Sequence, residues 1–412
     1  MYAVAAAFTT YFCMYAFRKP FAVGLYAGDT FFGLALKDAL IISQLLGYAL
    51  SKWLGVKFIS ELQPQFRKLA LISMIVFAQL CLVAFAFLPP GGRVVAMFFN
   101  GLPLGCVWGL IFGYLEGRRV SEILGAGLSC SYIVASGGVK SVGAWLMSLG
   151  VPELWMPMSV GFLFLPIFFA GTWALAQLPP PSKEDIAARM KRVVMNGAQR
   201  LAFVREFLLG LAALTLLYVF VTAYRDFRDN YAPEIWTELG LGDSVAIYSL
   251  SELPIAFVVM AGLALLYLVK RNDLGLLAAH LLMLGGTALI GIATLAWDAG
   301  ILGGVPWMIV VGLGLYLAYV PYGCVLFDRM IAAMGVTATA VFMIYVTDAS
   351  GYAGAIGVIL YKHLGHADMS KLQFFRAFSY FVSVVATSAF TFSAWYFWRR
   401  SKSRSQAAAL AS

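Results

Sequence analysis

Long apolar runs, separated by short polar or glycine- and proline-containing segments, recur from one end of the chain to the other. A helix that crosses a bilayer needs about 20 predominantly apolar residues, and each run approaches that length. The pattern therefore predicts twelve membrane-spanning helices. The expected ranges are 2–26, 37–56, 68–88, 92–115, 122–148, 154–178, 203–231, 244–268, 273–297, 302–325, 336–361 and 370–398. The first is the least regular, because Arg18, Lys19 and Pro20 interrupt it, and we expect a kink at the proline.

The composition agrees with a multi-pass membrane protein. Of the 412 residues, 62% are hydrophobic and 12% are charged, whereas soluble domains have about 25% charged residues. An ordinary soluble enzyme and a disordered chain are both excluded. The five cysteines lie in apolar runs without metal-site spacing, so we interpret them as buried hydrophobic side chains. We expect no cleavable signal peptide, because no basic segment precedes the first apolar run.

One basic, partly amphipathic segment, residues 179–202, interrupts the series halfway and is typical of a cytoplasmic linker. It separates a predicted N-terminal six-helix bundle (1–178) from a C-terminal six-helix bundle (203–398) and a short cytoplasmic tail (399–412). Segments on the linker side of the membrane carry eighteen lysines and arginines, against nine on the other side. The positive-inside rule therefore predicts that both termini are cytoplasmic. This topology also explains the net charge of +9 without a nucleic-acid partner.

The two halves of the sequence resemble each other. Residues 11–18 (YFCMYAFR) match residues 218–225 (YVFVTAYR), 207 positions later. Residues 135–137 match residues 349–351, 214 positions later. The similar offsets indicate a duplicated six-helix unit. The fifth and eleventh predicted helices are also rich in glycine, which suits close packing of helices, whether static or sliding.

Among the basic side chains of the predicted spans, two arginines and two lysines are candidates for a site, because a charge in the bilayer costs roughly 3 kcal/mol and tends to face a cavity or a partner. They are Arg18, Lys52, Lys140 and Arg225. Helical spacing places Tyr15 on the face of Arg18 and Tyr48 on the face of Lys52. These side chains predict a cationic cavity, because the planar guanidinium group suits bidentate binding of phosphate or carboxylate. The alternatives are arginines that extend to the headgroups and lysines in structural ion pairs.

Two acidic side chains of the predicted spans are further candidates. Glu252 has the same expected depth as Lys140, so an ion pair between them, across the two halves, is one expectation. Asp348 lies mid-span and shares a helix face with Tyr345 and Tyr352. The alternative is that one of the two carboxylates carries a coupling proton.

No other constellation predicts chemistry. His363, His366 and Asp368 fall in a polar loop and His280 is isolated in an apolar helix, so we expect no bound metal and no cofactor. The sequence has no nucleophile elbow, phosphate-binding loop or haem motif. We therefore expect no enzymatic activity.

Three stretches resemble motifs of the organophosphate:phosphate antiporters, a group within the major facilitator superfamily. They are residues 11–21 (YFCMYAFRKPF), 47–52 (GYALSK) and 219–238 (VFVTAYRDFRDNYAPEIWTE). The resemblance to the superfamily covers nearly the whole chain, and the FRKPF run is also similar to a bacterial family of such proteins. It implies the major facilitator fold, with two arginines that hold phosphate and a lysine that assists. Transferred by motif, these are Arg18, Arg225 and Lys52, with Lys19 as a neighbour.

The sequence thus predicts a secondary transporter of a bacterial inner membrane that works by alternating access. We expect it to carry a small anionic, phosphorylated organic solute in exchange for inorganic phosphate. The expected ligands of the anion are Arg18, Lys19, Lys52, Lys140, Arg225, Tyr15 and Tyr48. The alternatives are a proton-coupled carrier of a carboxylate or other solute, and a non-transporting sensor of such a ligand. We expect a monomer whose partners are the solute and the lipid bilayer.

Overall fold

A computed structural model describes residues 2–115, 121–179, 197–336, 338 and 340–411, with the backbone alone at 56–61, 121–126, 129–130, 341 and 405–411. Most of the predicted linker, residues 180–196, lies outside the described residues. The described chain is helical almost throughout. Its α-helices are α1 (Tyr2–Tyr15), α2 (Leu36–Glu61), α3 (Arg67–Phe87), α4 (Pro90–Leu115), α5 (Ser121–Ser148), α6 (Met156–Ala176), α7 (Gly197–Glu206), α8 (Leu208–Asn230), α9 (Ala232–Glu238), α10 (Ile247–Tyr267), α11 (Asn272–Asp298), α12 (Gly304–Cys324), α13 (Leu326–Met334), α14 (Ala340–Gly365) and α15 (Lys371–Ala411).

The first helix is shorter than predicted. Helix α1 ends at Tyr15, whose carbonyl oxygen accepts hydrogen bonds from the backbone N–H groups of both Arg18 and Lys19. A 3₁₀ helix, Pro20–Val23, follows. The expectation of one kinked helix over residues 2–26 is therefore wrong. Proline lacks the backbone N–H that would bond to the carbonyl oxygen of Ala16 in a continued helix, and its ring would clash with that oxygen, so the helix stops instead of bending.

A short hairpin separates this segment from α2. Strand β1 (Thr30–Phe31) pairs antiparallel with β2 (Leu34–Ala35). The two residues between the strands, Phe32 and Gly33, have φ angles of 47° and 80°. Positive φ at both central positions is the geometry of a tight hairpin turn whose twist matches the strands.

Nine helical segments of the described chain are long and apolar enough to cross a membrane, judged by length and composition. They are Pro64–Phe87, Pro90–Leu115, Met156–Ala176, Leu208–Asn230, Ile247–Tyr267, Asn272–Asp298, Gly304–Cys324, Phe342–Gly365 and Lys371–Arg404. Helices α1, α2 and α5, which correspond to the first, second and fifth predicted spans, fall outside this set. Helix α1 has 14 residues, and parts of the side chains of α2 and α5 are not described.

The described chain forms two compact units. Unit 1 takes its residues from Met1–Arg189, Asp226–Leu253 and Ile356–Phe374. Within it, α2 packs along α4, α4 packs against α3, and α1 packs against α5 and α6. Its core includes Phe17, Phe21, Phe85 and Phe168, all fully buried.

Unit 2 takes its residues from Met190–Arg225, Pro254–Ala355 and Phe375–Ser412. Within it, α11 packs along α12 and against α13. The fully buried rings of Trp307, Tyr322 and Phe327 contribute to its core. The predicted division into bundles 1–178 and 203–398 stays a prediction.

Candidate functional site

In unit 1, the guanidinium group of Arg18 lies over the ring of Tyr48 on α2. The Cζ atom of Arg18 is 3.9 Å from the centre of that ring and 6.0 Å from the ring centre of Tyr15. The ammonium group of Lys52 lies 5.7 Å from the Tyr48 ring centre and 5.8 Å from that of Trp108 on α4. Aromatic faces attract cations at these distances. We call these five residues the Arg18 cluster, in which two cations share one tyrosine ring.

The break after α1 places Arg18 in this cluster. The side-chain amide of Gln44 donates to the carbonyl oxygen of Arg18 at 3.0 Å. The side-chain amide of Asn100 donates to the carbonyl oxygens of Phe17 (3.0 Å) and Ala78 (3.1 Å). Gln44 also donates to Asn100, at 2.8 Å. Irregular backbone in a membrane protein persists only where its polar groups find partners, and these two amides provide them.

Close contact between α2 and α4 fixes the positions of Tyr48 and Lys52 relative to α4. A Cβ atom added at Gly47 would overlap the carbonyl oxygen of Phe98, and one added at Gly101 would overlap that of Gln44. Glycines at such positions let two helix backbones approach each other. This contact was not predicted, because the glycine content indicated close packing only for the fifth and eleventh predicted spans.

Lys19 and Lys140 share one carboxylate in unit 1, that of Asp229 near the end of α8. The Nζ atom of Lys19 lies 2.5 Å from Oδ2 of Asp229 and donates to Oδ1 of Asn230 at 2.9 Å. Lys140 pairs with Oδ1 of Asp229 and donates to its backbone carbonyl oxygen at 2.7 Å. The hydroxyl group of Ser136 also donates to this carboxylate. We call these five residues the Asp229 cluster; each lysine is 3% exposed.

The expected ion pair between Lys140 and Glu252 does not form. Glu252 instead accepts a hydrogen bond of 2.6 Å from the guanidinium group of Arg228, in a buried ion pair. Arg228 and Asp229 are consecutive residues of α8, about 100° apart around a helix, so their side chains reach different neighbours. Asp229 reaches Lys140 on α5, while Arg228 reaches Glu252 on α10.

A further charged group in unit 1 surrounds Tyr231. Its hydroxyl group donates to Asp38 at 2.5 Å, and the same carboxylate pairs with Lys371 at 3.1 Å. The ammonium group of Lys371 lies 3.9 Å from the centre of the Tyr231 ring. The neighbour of Asp38 in the chain, Lys37, pairs with Glu234 at 2.7 Å. These five residues form the Tyr231 cluster, which joins the start of α2 to α9 and the start of α15.

Unit 2 holds Arg225 and Asp348 in a cluster of its own. The Cζ atom of Arg225 is 4.3 Å from the ring centre of Tyr319 on α12. The hydroxyl oxygen of Tyr319 lies 3.1 Å from that of Tyr218 on α8, and the Tyr218 hydroxyl group donates to Asp348 on α14. Tyr218 is 4% and Asp348 9% exposed. We call these four residues the Asp348 cluster.

The predicted site residues therefore fall into separate groups. Unit 1 brings Arg18, Tyr15, Tyr48 and Lys52 together, and it pairs Lys19 and Lys140 with an acid that was not predicted. The residues that sequence reasoning missed are Trp108, Arg228, Asp229 and Tyr319. A signal for Asp229 existed, because it follows Arg225 by four positions, one helical turn. In the described part of the chain, no three His, Cys, Asp or Glu side chains group as a metal site would require.

The family DUF5690, described as a family of unknown function, matches residues 20–400. The chain belongs to this family. No curated protein sequence matches this chain. Solved structures that resemble it include a D-xylose–proton symporter, 13% identical with a TM-score of 0.62, covering 94% of this chain and 95% of that one. The nucleoside transporter NupG is 14% identical with a TM-score of 0.62, covering 95% and 98%. A peptide transporter, POT, in complex with sulfate is 13% identical with a TM-score of 0.62, covering 95% and 92%.

At these identities the likeness shows the fold. It confirms the predicted fold class, an all-α, multi-pass membrane protein with the major facilitator fold. The resemblance to the major facilitator superfamily is thus confirmed at the level of fold. The narrower resemblance to organophosphate:phosphate antiporters stays a prediction.

Proposed function

We propose that this chain is a secondary transporter that moves a small anionic, phosphorylated organic solute across the membrane by alternating access, in exchange for inorganic phosphate. The observation that carries the proposal is the Arg18 cluster, in which two cations converge on the Tyr48 ring at 3.9 and 5.7 Å. Like charges held close together in a low-dielectric interior repel each other. A bound anion offsets that repulsion, and a phosphate group offers oxygens to both cations.

The chemistry of the cluster favours phosphate or carboxylate over a neutral solute. The guanidinium group of Arg18 presents a planar fork of donors that suits two oxygens at once, whereas Lys52 contributes a compact point charge. The hydroxyl groups of Tyr15 and Tyr48 are additional donors. Arg225 is the counterpart of Arg18 in the second half of the sequence and also lies over a tyrosine ring, so unit 2 has a cationic group of the same kind.

The comparisons support transport as the activity. The similar solved structures are named as a symporter of D-xylose and protons, a nucleoside transporter and a peptide transporter. Each of these names describes movement of a small polar solute. We propose a bacterial inner membrane from the similarity of the FRKPF run to a bacterial family, and cytoplasmic termini from the lysine and arginine bias of the sequence.

The test is thermal unfolding of the purified protein in detergent with inorganic phosphate, glycerol phosphate, a carboxylate and a neutral sugar. A ligand at 100 times its dissociation constant stabilises the folded state by about 2.7 kcal/mol. We expect stabilisation by a phosphate compound in the wild type and in Arg399→Ala, which removes an exposed arginine. We expect none in Arg18→Ala or Arg225→Ala. Equal stabilisation of all four proteins by the neutral sugar would contradict the proposal.

Flux is measured separately, as exchange of labelled phosphate across proteoliposomes loaded with unlabelled phosphate. Exchange that Arg18→Ala abolishes is the expected result. Binding of phosphate without exchange would favour the non-transporting sensor, because a sensor needs the ligand but no conformational cycle.

A further inference from the structure

The Asp348 cluster connects a carboxylate to a guanidinium group through two tyrosines of unit 2. Tyr218 donates to Asp348, and its hydroxyl oxygen lies 3.1 Å from that of Tyr319. The two tyrosine rings are stacked, with 5.3 Å between their centres. The guanidinium group of Arg225 lies over the Tyr319 ring at 4.3 Å. A change in the protonation of Asp348 can therefore affect Arg225 through a continuous series of contacts.

The direction of these hydrogen bonds depends on the proton of Asp348. An ionised carboxylate only accepts, and each tyrosine hydroxyl group has a single hydrogen to donate. When Asp348 is ionised, Tyr218 donates to it, so Tyr319 must donate to Tyr218. When Asp348 is protonated, its hydroxyl group can donate to Tyr218, and Tyr218 then donates to Tyr319. Protonation thus permits both bonds to reverse while the heavy atoms stay in place.

The charge of Asp348 also acts on Arg225. An ionised carboxylate offsets part of the positive charge of the arginine, whereas a protonated carboxyl group does not. An anion at Arg225 is therefore bound more tightly when Asp348 is protonated. Linkage is reciprocal, so a bound anion equally favours uptake of the proton. The proton and the anion therefore bind together and move in the same direction in each half of the exchange.

We propose that Asp348 is the proton-binding site of this transporter and that Tyr218 and Tyr319 link its protonation to anion binding at Arg225. The inference rests on the proposed function and adds the coupling ion to it. The carboxylate takes its proton from water on the side of higher proton concentration and releases it to water on the other side. No other atom is transferred.

The groups around Tyr218 are consistent with this role. Arg225 from its own helix, Tyr319 from α12, and Asp348 and Tyr352 from α14 act on it electrostatically. Three other acidic side chains described above, Asp38, Asp229 and Glu252, pair with lysine or arginine in unit 1. The bond between Tyr218 and Asp348 persists in either protonation state.

The decisive experiment uses proteoliposomes and inorganic phosphate as the probe. In the wild type, an alkaline interior drives accumulation of labelled phosphate, and exchange proceeds without a pH gradient. Asp348→Asn mimics the protonated form, so it should lose accumulation and keep exchange. The matched control is Asp298→Asn, the same change in an exposed ion pair with Arg376, which should keep both activities. Accumulation by Asp348→Asn at the level of the wild type overturns the proposal.

Two measurements keep the test independent of flux. The apparent dissociation constant for phosphate should rise with pH more steeply in the wild type than in Asp348→Asn. The ionisation of phosphate itself cancels in this comparison, because both proteins meet the same phosphate. Tyr218→Phe, which keeps the ring and removes the hydroxyl group, should shift the midpoint of that pH dependence. If Tyr218→Phe leaves that midpoint unchanged, Tyr218 does not link the protonation of Asp348 to anion binding.

Failure of the proposed function would look different. If the wild type neither binds nor exchanges phosphate, the anion proposal fails, and the proton site is judged by unfolding temperature against pH. A site at Asp348 predicts that the curves of the wild type and Asp348→Asn approach each other at low pH and separate at high pH. Parallel curves overturn it.

Discussion

The ammonium nitrogen of Lys19 lies 2.5 Å from the Oδ2 atom of Asp229, although Lys19 follows the first helix and Asp229 is the penultimate residue of α8. The other oxygen of the same carboxylate pairs with Lys140. One acid thus neutralises part of the charge of two lysines that are 3% exposed. Charges buried this deeply are tolerated as a set, because the attraction between the carboxylate and both ammonium groups offsets part of their desolvation cost.

Substitution of Asp229, the acid that both lysines share, should therefore destabilise the protein strongly. Asp229→Asn leaves two buried lysines without their anion, and we expect a loss of about 3–5 kcal/mol in the free energy of unfolding. The measurement is denaturant or thermal unfolding in detergent. Asp298→Asn is the control, since its partner Arg376 is half exposed and exposed pairs contribute about 0–1 kcal/mol. Equal losses in the two variants would show that the Asp229 pairs contribute little to stability.

The Tyr231 cluster allows a charge exchange between Lys37 and Glu234. Either Lys37→Glu or Glu234→Lys alone places like charges in contact and should destabilise the protein. The double variant restores an opposite pair, with the signs reversed, and should recover much of the loss. Contacting residues show coupling energies of about 0.5–3 kcal/mol in such cycles. If the two single effects simply add in the double variant, the 2.7 Å ion pair contributes nothing to the stability of the protein.

The fold was predictable because helix length and the apolar pattern follow directly from the bilayer. Runs such as residues 92–115 and 273–297 correspond closely to α4 and α11. The end of α1 was not predicted. Its position depends on Gln44 and Asn100, which bond to the carbonyl oxygens freed by the break. These amides come from other helices, and a local pattern does not reveal them.

The candidate site was predicted in part for a similar reason. Helical spacing placed Tyr48 and Lys52 on one face, and the structure has both near Arg18. The partner of Lys140 depended on the rotation of α8, which decides whether Arg228 or Asp229 faces α5. Depth alone suggested Glu252 and gave the wrong partner. Depth constrains a residue along the membrane normal, whereas a contact also requires the rotation of both helices.

The contact between α2 and α4 predicts that one methyl group added at Gly101 destabilises the protein. Gly101→Ala would push a Cβ atom into the carbonyl oxygen of Gln44, and overpacking of this kind costs about 1–3 kcal/mol. Gly285→Ala on α11 is the control, because no described atom outside its own stretch of helix lies within 4 Å of the added carbon. Alanine there should be neutral or stabilising by up to about 1 kcal/mol. Unfolding of both variants in detergent measures the difference, and equal effects would contradict the close contact.

Asn100→Ala tests whether the break after α1 positions Arg18 for binding. The substitution removes the donors to the carbonyl oxygens of Phe17 and Ala78, and each buried group left unsatisfied costs about 1–3 kcal/mol. The turn that presents Arg18 then loses its support. We therefore expect both lower stability and at least about a tenfold weaker affinity for inorganic phosphate, equivalent to about 1.4 kcal/mol.

Thr294→Ala in unit 2 is the control that separates the loss of stability from the loss of phosphate affinity. The hydroxyl group of Thr294 is buried, accepts from Trp307 at 3.1 Å and donates to Ile290 at 2.8 Å, so its loss also destabilises the protein. It touches no member of the Arg18 cluster among its described hydrogen bonds. Phosphate affinity, measured by isothermal titration in detergent below the unfolding temperature of both variants, should fall in Asn100→Ala alone. An unchanged affinity in both would reduce Asn100 to a structural residue, because Arg18 would then keep its position without the amide.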